Sequence, residues 1–122
     1  MENVEKFLES LDDDVSSIDL SRKGISFLPN LTRFKNLKVL YCSNNQLTFL
    51  PPLNESIEQL YCYNNQLTTL PNLNNKLKIL DCSDNYLTKL PTLNEKLQSI
   101  HCQSNNLTSF PKLENALTYL NC

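Results

Sequence analysis

The chain has 122 residues, 40% of them hydrophobic and 20% charged, with a formal net charge of −2, enough for one domain with a continuous core and too little for two ordinary ones. Glycine occurs once, at Gly24, while asparagine and leucine are abundant, which argues against a β-sandwich built on glycine turns and for turns made by asparagine. The basic residues are scattered rather than gathered into a stripe, so no nucleic-acid footprint is expected, and no run approaches the ~20 apolar residues of a membrane span.

In chain order, Val4, Phe7, Leu8 and Leu11 recur at helical spacing between Glu2, Glu5, Lys6 and Glu9. This predicts an amphipathic helical cap within residues 1–14, with Asn3 or the residue before it as the N-cap. A free helix that docks on a partner is the alternative reading. The acidic run Asp12-Asp13-Asp14 is read as a solvated stretch rather than a cation ligand. The opening residues lack the basic-then-apolar layout of a signal peptide. The sequons at Asn30, Asn54 and Asn106 are therefore expected to be unused, and the protein to be cytoplasmic.

From residue 37 the chain repeats itself every 20 residues. Leu37, Ile57, Leu77, Leu97 and Leu117 share one slot; Leu40, Leu60, Leu80, Ile100 and Leu120 a second; Cys42, Cys62, Cys82, Cys102 and Cys122 a third. Asn45, Asn65, Asn85 and Asn105 follow, then Leu47, Leu67, Leu87 and Leu107, then Leu50, Leu70, Leu90 and Phe110, each of these last before a proline. A degenerate copy comes first: Val15, Ile18, Leu20, Ile25, Leu28, Pro29 and Leu31 occupy the same slots, with Lys23 where asparagine is expected and 22 residues to the next unit. The repeat region is thus residues 15–122: one atypical unit, four regular units and a partial sixth.

One such unit cannot bury its leucines alone, so successive units must stack into a continuous core. Alternation in L-x-C predicts a short strand with Leu40 and Cys42 facing the core and Val39, Tyr41 and Ser43 facing out. Stacked strands form a parallel sheet, and six at ~4.8 Å spacing span roughly 25 Å. The proline-bearing return is too short for a regular helix and is expected to be extended or polyproline-like with one tight turn. An asparagine amide both donates and accepts, so the asparagine column is expected to satisfy buried backbone where each strand bends into its return.

The unit, L-x-x-L-x-C-x-x-N-x-L, resembles the leucine-rich repeat, with cysteine in the third apolar slot. Its 20-residue length and L-P-x-L segment are similar to the short repeats of bacterial type III effectors and of large DNA viruses. The resemblance implies a horseshoe-class solenoid, with short parallel strands and an extended convex side, that acts as a non-catalytic protein-binding module. For an origin in a pathogen or virus it implies the host-cell cytoplasm. Some effector relatives carry a ligase domain after their repeats; nothing here corresponds to it. Where that family often has a second proline, this chain has Asn54, Asn74, Asn94 and Glu114.

The cysteines share one core phase and are odd in number, which favours apolar packing in a reducing compartment over disulfides or a metal site. No cofactor is expected. His101 is the sole histidine; a hydrolase reading would take Ser83 as nucleophile, His101 as base and Asp81 as orienting acid, but an open sheet offers no oxyanion hole. The outward residues read better as a protein-binding surface on the concave face, centred on Tyr41, Tyr61, Tyr63, Asp81, His101 and Gln103, because tyrosine combines apolar area with a polar tip. A second reading is self-association through the C-terminal repeat, where Leu117, Leu120 and Cys122 would leave an apolar face and a strand edge open.

Overall fold

The computed structural model describes residues 4–112 and 117–122. A short helix, α1 (Val4–Glu9), precedes six three-residue strands: β1 (Ser17–Asp19), β2 (Val39–Tyr41), β3 (Gln59–Tyr61), β4 (Ile79–Asp81), β5 (Ser99–His101) and β6 (Tyr119–Asn121). They form one sheet in sequence order. Every pairing is parallel and in register, so Ile18, Leu40, Leu60, Leu80, Ile100 and Leu120 lie side by side. The returns carry no helix among the described residues, and those leading into β3, β4 and β5 tighten into a turn such as that closed by Ile57 N–H on Asn54 O.

The first five strands are short because the chain turns two residues after Leu20, Cys42, Cys62, Cys82 and Cys102, through a residue held at positive φ: Arg22, Asn44, Asn64, Asp84 or Ser104, all between 54° and 58°. Asn and Asp tolerate this conformation best among residues with a side chain. The hydrogen-bond ladder nonetheless runs past the strand ends. Cys42 and Asn44 N–H donate to Tyr61 O and Tyr63 O, and Lys38 O accepts from both Glu58 and Gln59.

The asparagine column is the polar spine the repeat called for. Asn65 Oδ1 accepts from Leu47 N–H of the preceding unit at 3.0 Å, while its Nδ2 donates to Cys42 O and Cys62 O at 3.1 Å. Asn85 and Asn105 repeat the arrangement one and two rungs later. Asn45 serves the first unit, accepting from Lys23 and Ile25 N–H, so the missing asparagine at Lys23 is compensated by its neighbour. Asparagine is suited here because one side chain must accept from the preceding turn and donate both to that turn and to its own.

A second asparagine spine runs along the return side. Asn54 Nδ2 donates to Leu31 O and Phe34 O, Asn74 to Asn54 O and Ile57 O, and Asn94 to Asn74 O and Leu77 O. In sequence this slot differs from the related repeats only by the loss of a proline. The gain is physical: proline has no donor, whereas the amide ties each turn to the one before.

The core runs unbroken through the stack: Leu40, Leu60 and Leu80, Cys42, Cys62 and Cys82, and Leu47, Leu67 and Leu87 are each no more than 1% exposed. The two additional residues of the first unit place Phe34 in this core, fully buried. Helix α1 is shorter than its apolar pattern suggests, yet Leu8 is buried and Val4, Phe7 and Leu11 pack against the core; Asn3 lies outside the described residues. Arg33 ties the helix down: its Nη2 donates to Leu8 O at 2.7 Å and Leu11 O at 3.0 Å, and its Nε meets Asp13 at 2.7 Å. A cation on the last carbonyls of a helix satisfies orphan acceptors and complements the helix dipole.

Candidate functional site

In-register parallel pairing decides what stands beside what on the outer sheet face. Asp19, Tyr41, Tyr61, Asp81, His101 and Asn121 follow one another rung by rung. Tyr41 and Tyr61 stack with ring centroids 5.0 Å apart and planes 8° from parallel. Tyr61 Oη donates to Gln59 Oε1 at 2.8 Å, which fixes the ring's tilt within its own strand. Burial, then the neighbouring Tyr41 and Asp81, push the Tyr61 phenol above its ordinary pKa, so it stays a neutral donor at physiological pH.

Six residues were singled out from sequence, and Tyr41, Tyr61, Asp81 and His101 form one continuous row. Tyr63 and Gln103 lie two residues further along their segments, where the chain is already turning. Tyr41 is exposed and the other five are half-buried. Tyr119 belongs with them and was missed: its ring lies 4.7 Å from that of His101, tilted by 32°. The signal was present, since Tyr119 shares a slot with Ser99, Ile79, Gln59 and Val39.

Two serines depart from the expected outward orientation: Ser43 is 2% and Ser83 4% exposed. A serine side chain is too short to rise past the adjoining turns at a slot where the longer Tyr63 and Gln103 stay half-buried. Ser83 Oγ donates to Asp81 Oδ1 at 2.7 Å. The serine thus bonds the carboxylate directly, without His101 between them, an arrangement different from a nucleophile, base and acid in relay.

On the opposite face of the strands, Cys42, Cys62 and Cys82 are free and buried. Burial pushes the Cys42 and Cys82 thiols up to about 12, and Cys62 well above its ordinary range. Thiols held protonated in this way are poor nucleophiles and poor metal ligands. The expectation of five free thiols is corrected at the last rungs, where Cys102 and Cys122, with Cα atoms 4.4 Å apart, lie in disulfide contact. Among the described residues no group of three His, Cys, Asp or Glu is arranged to hold a metal ion, and no helix is long and apolar enough to cross a membrane.

A recess opens on the return side, a cleft of about 320 Å³ lined mainly by Leu28, Leu31, Pro51, Pro52, Leu53 and Ile57, between the 22-residue unit and the first 20-residue one.

Residues 35–75 match the family model described as leucine rich repeats in two copies. The chain is built of leucine-rich repeats. Its solenoid superposes on the structure of a Shigella effector leucine-rich-repeat domain with a TM-score of 0.83 and 32% identity, over 95% of this chain and 50% of that one. It superposes on YopM, a leucine-rich effector protein from Yersinia pestis, with a TM-score of 0.74 and 34% identity, over 78% of this chain and 28% of that one. The leucine-rich-repeat chain described here therefore spans half the length of the first and under a third of the second. No curated protein matches its sequence significantly.

Proposed function

We propose that this leucine-rich-repeat solenoid is a non-catalytic binding module that holds a protein partner against the concave face of its sheet. The observation that carries the reading is the row Tyr41, Tyr61, Asp81 and His101: aromatic and ionisable side chains placed side by side by strand register, with Tyr41 stacked on Tyr61. Residues of this kind dominate binding energy at protein interfaces because they bury large area at low cost in side-chain entropy. The effector solenoids it resembles support the same reading at the level of fold. A cytoplasmic setting, in a host cell for an effector-like protein, belongs to the proposal and rests on the likeness to effector solenoids.

Affinity capture from lysate of the native cell tests it, with the Tyr61→Ala, Tyr63→Ala, His101→Ala triple variant as control. The variant is expected to fold and to lose the partner; capture of the same partner by both proteins would sink the proposal.

The far end of the sheet favours a second reading. On β6, among the described residues, the side chains of Tyr119 and Leu120 are 47% and 46% exposed. Self-association would cover both. Light scattering that shows a monomer at high concentration would remove this reading and leave the first untouched.

A further inference from the structure

The outer face has a charge pattern that specifies the partner's chemistry. Resting on the binding role proposed above, we infer that the stacked pair Tyr41 and Tyr61, bracketed by Asp19 and Asp81, is a subsite for a cationic side chain, and that the partner presents an extended segment bearing arginine.

Asp19 pairs in register with Tyr41, and Tyr61 with Asp81, so the order across four strands is carboxylate, ring, ring, carboxylate. At the spacing of parallel strands this covers about 14 Å. Among the described residues no lysine or arginine pairs with either carboxylate. Asp19 accepts only from Ser21 N–H, and Asp81 uses Oδ1 for both bonds from Ser83. The outward positions of the strands hold no lysine or arginine at all. Lys38 and Lys78 stand just before β2 and β4, and Lys78 is already held by Glu58 at 3.3 Å. The face is therefore acidic although the chain carries nearly as many bases as acids.

The two carboxylates and the ring pair suit a ligand rich in N–H donors, and a guanidinium offers five donors and no acceptor. Stacked tyrosine rings present π-faces and edges on which a planar guanidinium packs better than a compact ammonium. An extended segment matches the site because its alternate side chains fall on one face.

Fluorescence anisotropy with a labelled serine–glycine peptide carrying two arginines tests this, against the same peptide with lysine, citrulline or glutamate in their place. The arginine peptide should bind most tightly, lysine more weakly, and citrulline and glutamate least, with affinity falling as salt is raised. Tyr61→Leu, which keeps apolar area and removes the ring, and Asp19→Asn should each weaken arginine binding about two- to five-fold. Asp81→Asn should act similarly, and its thermal midpoint reads whether the Ser83 contacts survive; Asp19→Asn, with a single bond at stake, keeps the test valid if they do not. Equal binding of the arginine and citrulline peptides, preference for glutamate, or no arginine binding up to millimolar concentration would overturn the inference. Partner capture that depends on the outer face but is indifferent to these charges would overturn it alone, whereas capture that ignores the outer face removes the binding proposal beneath it.

Discussion

The two faces of the same strands obey different rules. On the inner face one slot reads Leu40, Leu60, Leu80 and Ile100 and another cysteine at every rung, all of them nearly fully buried up to Cys102. On the outer face, one residue along, the row changes at nearly every rung, from Asp19 through Tyr41, Tyr61 and Asp81 to His101. The inner residues are alike because each must fit the rung above and below at close-packed density. The outer residues are released from that demand, so their chemistry is available for recognition. Changes on the inner face and spines should cost stability; changes on the outer face should cost binding.

The largest effect is expected at the strand-side spine. Asn65→Leu would strand Leu47 N–H in the interior and leave Cys42 O and Cys62 O only their bonds from Asn45 and Asn85, at about 3 kcal/mol for one orphaned donor and two lost bonds; urea unfolding should show the midpoint falling with little change in slope. Asn74→Leu, on the half-buried return-side spine, should cost about 2 kcal/mol by the same measurement. An Asn74 variant as damaging as the Asn65 one would erase the ranking of the two spines.

Arg33→Ala should cost about 1–2 kcal/mol, since it removes the donors to Leu8 O and Leu11 O while the exposed ion pair with Asp13 contributes little. Hydrogen exchange should show residues 4–11 opening before the repeats. Uniform exchange across helix and solenoid would mean that Arg33 is no clamp.

The cysteine column gives the inner face a pH signature. Cys42 and Cys82 have folded-state values raised to about 12 from an ordinary 9.0. Between those values the unfolded chain has released protons that the folded chain still holds. Stability is thus fully present below about pH 9 and lost as pH rises toward 12, at up to about 1.4 kcal/mol per pH unit for each thiol. The Cys42→Val, Cys82→Val double variant should flatten the alkaline limb; an unchanged limb would mean that these thiols are not the groups responsible. On the outer face, by contrast, the Tyr61→Ala, Tyr63→Ala, His101→Ala variant should stay within about 1 kcal/mol of the parent, and a larger loss would mean that the row is part of the scaffold.

The fold was legible because it is written many times over. Register, the strand-side spine and the core follow from a unit that recurs at fixed spacing, and each copy corrects the reading of the others. What was hidden depended on single residues or on neighbouring rungs. Arg33 acts across 22 and 25 residues of sequence on Leu11 and Leu8, which no local pattern announces. The return-side asparagines were visible as a column, but comparison with a proline-bearing slot hid what an amide adds. Ser43 and Ser83 were misplaced because alternation was carried one residue beyond the point where the chain turns. On the outer face the sequence supplied which residues share a row, and the structure added the stacking of Tyr41 on Tyr61 and the presence of Tyr119 beside His101.

The contrast between the faces is tested most directly by site-specific photo-crosslinking in native lysate, with a benzophenone amino acid placed in turn at Tyr61 on the sheet and at Thr92, exposed on the return side. The account predicts a discrete crosslinked partner from position 61 and none from position 92; a partner captured from position 92 but not from position 61 would contradict it.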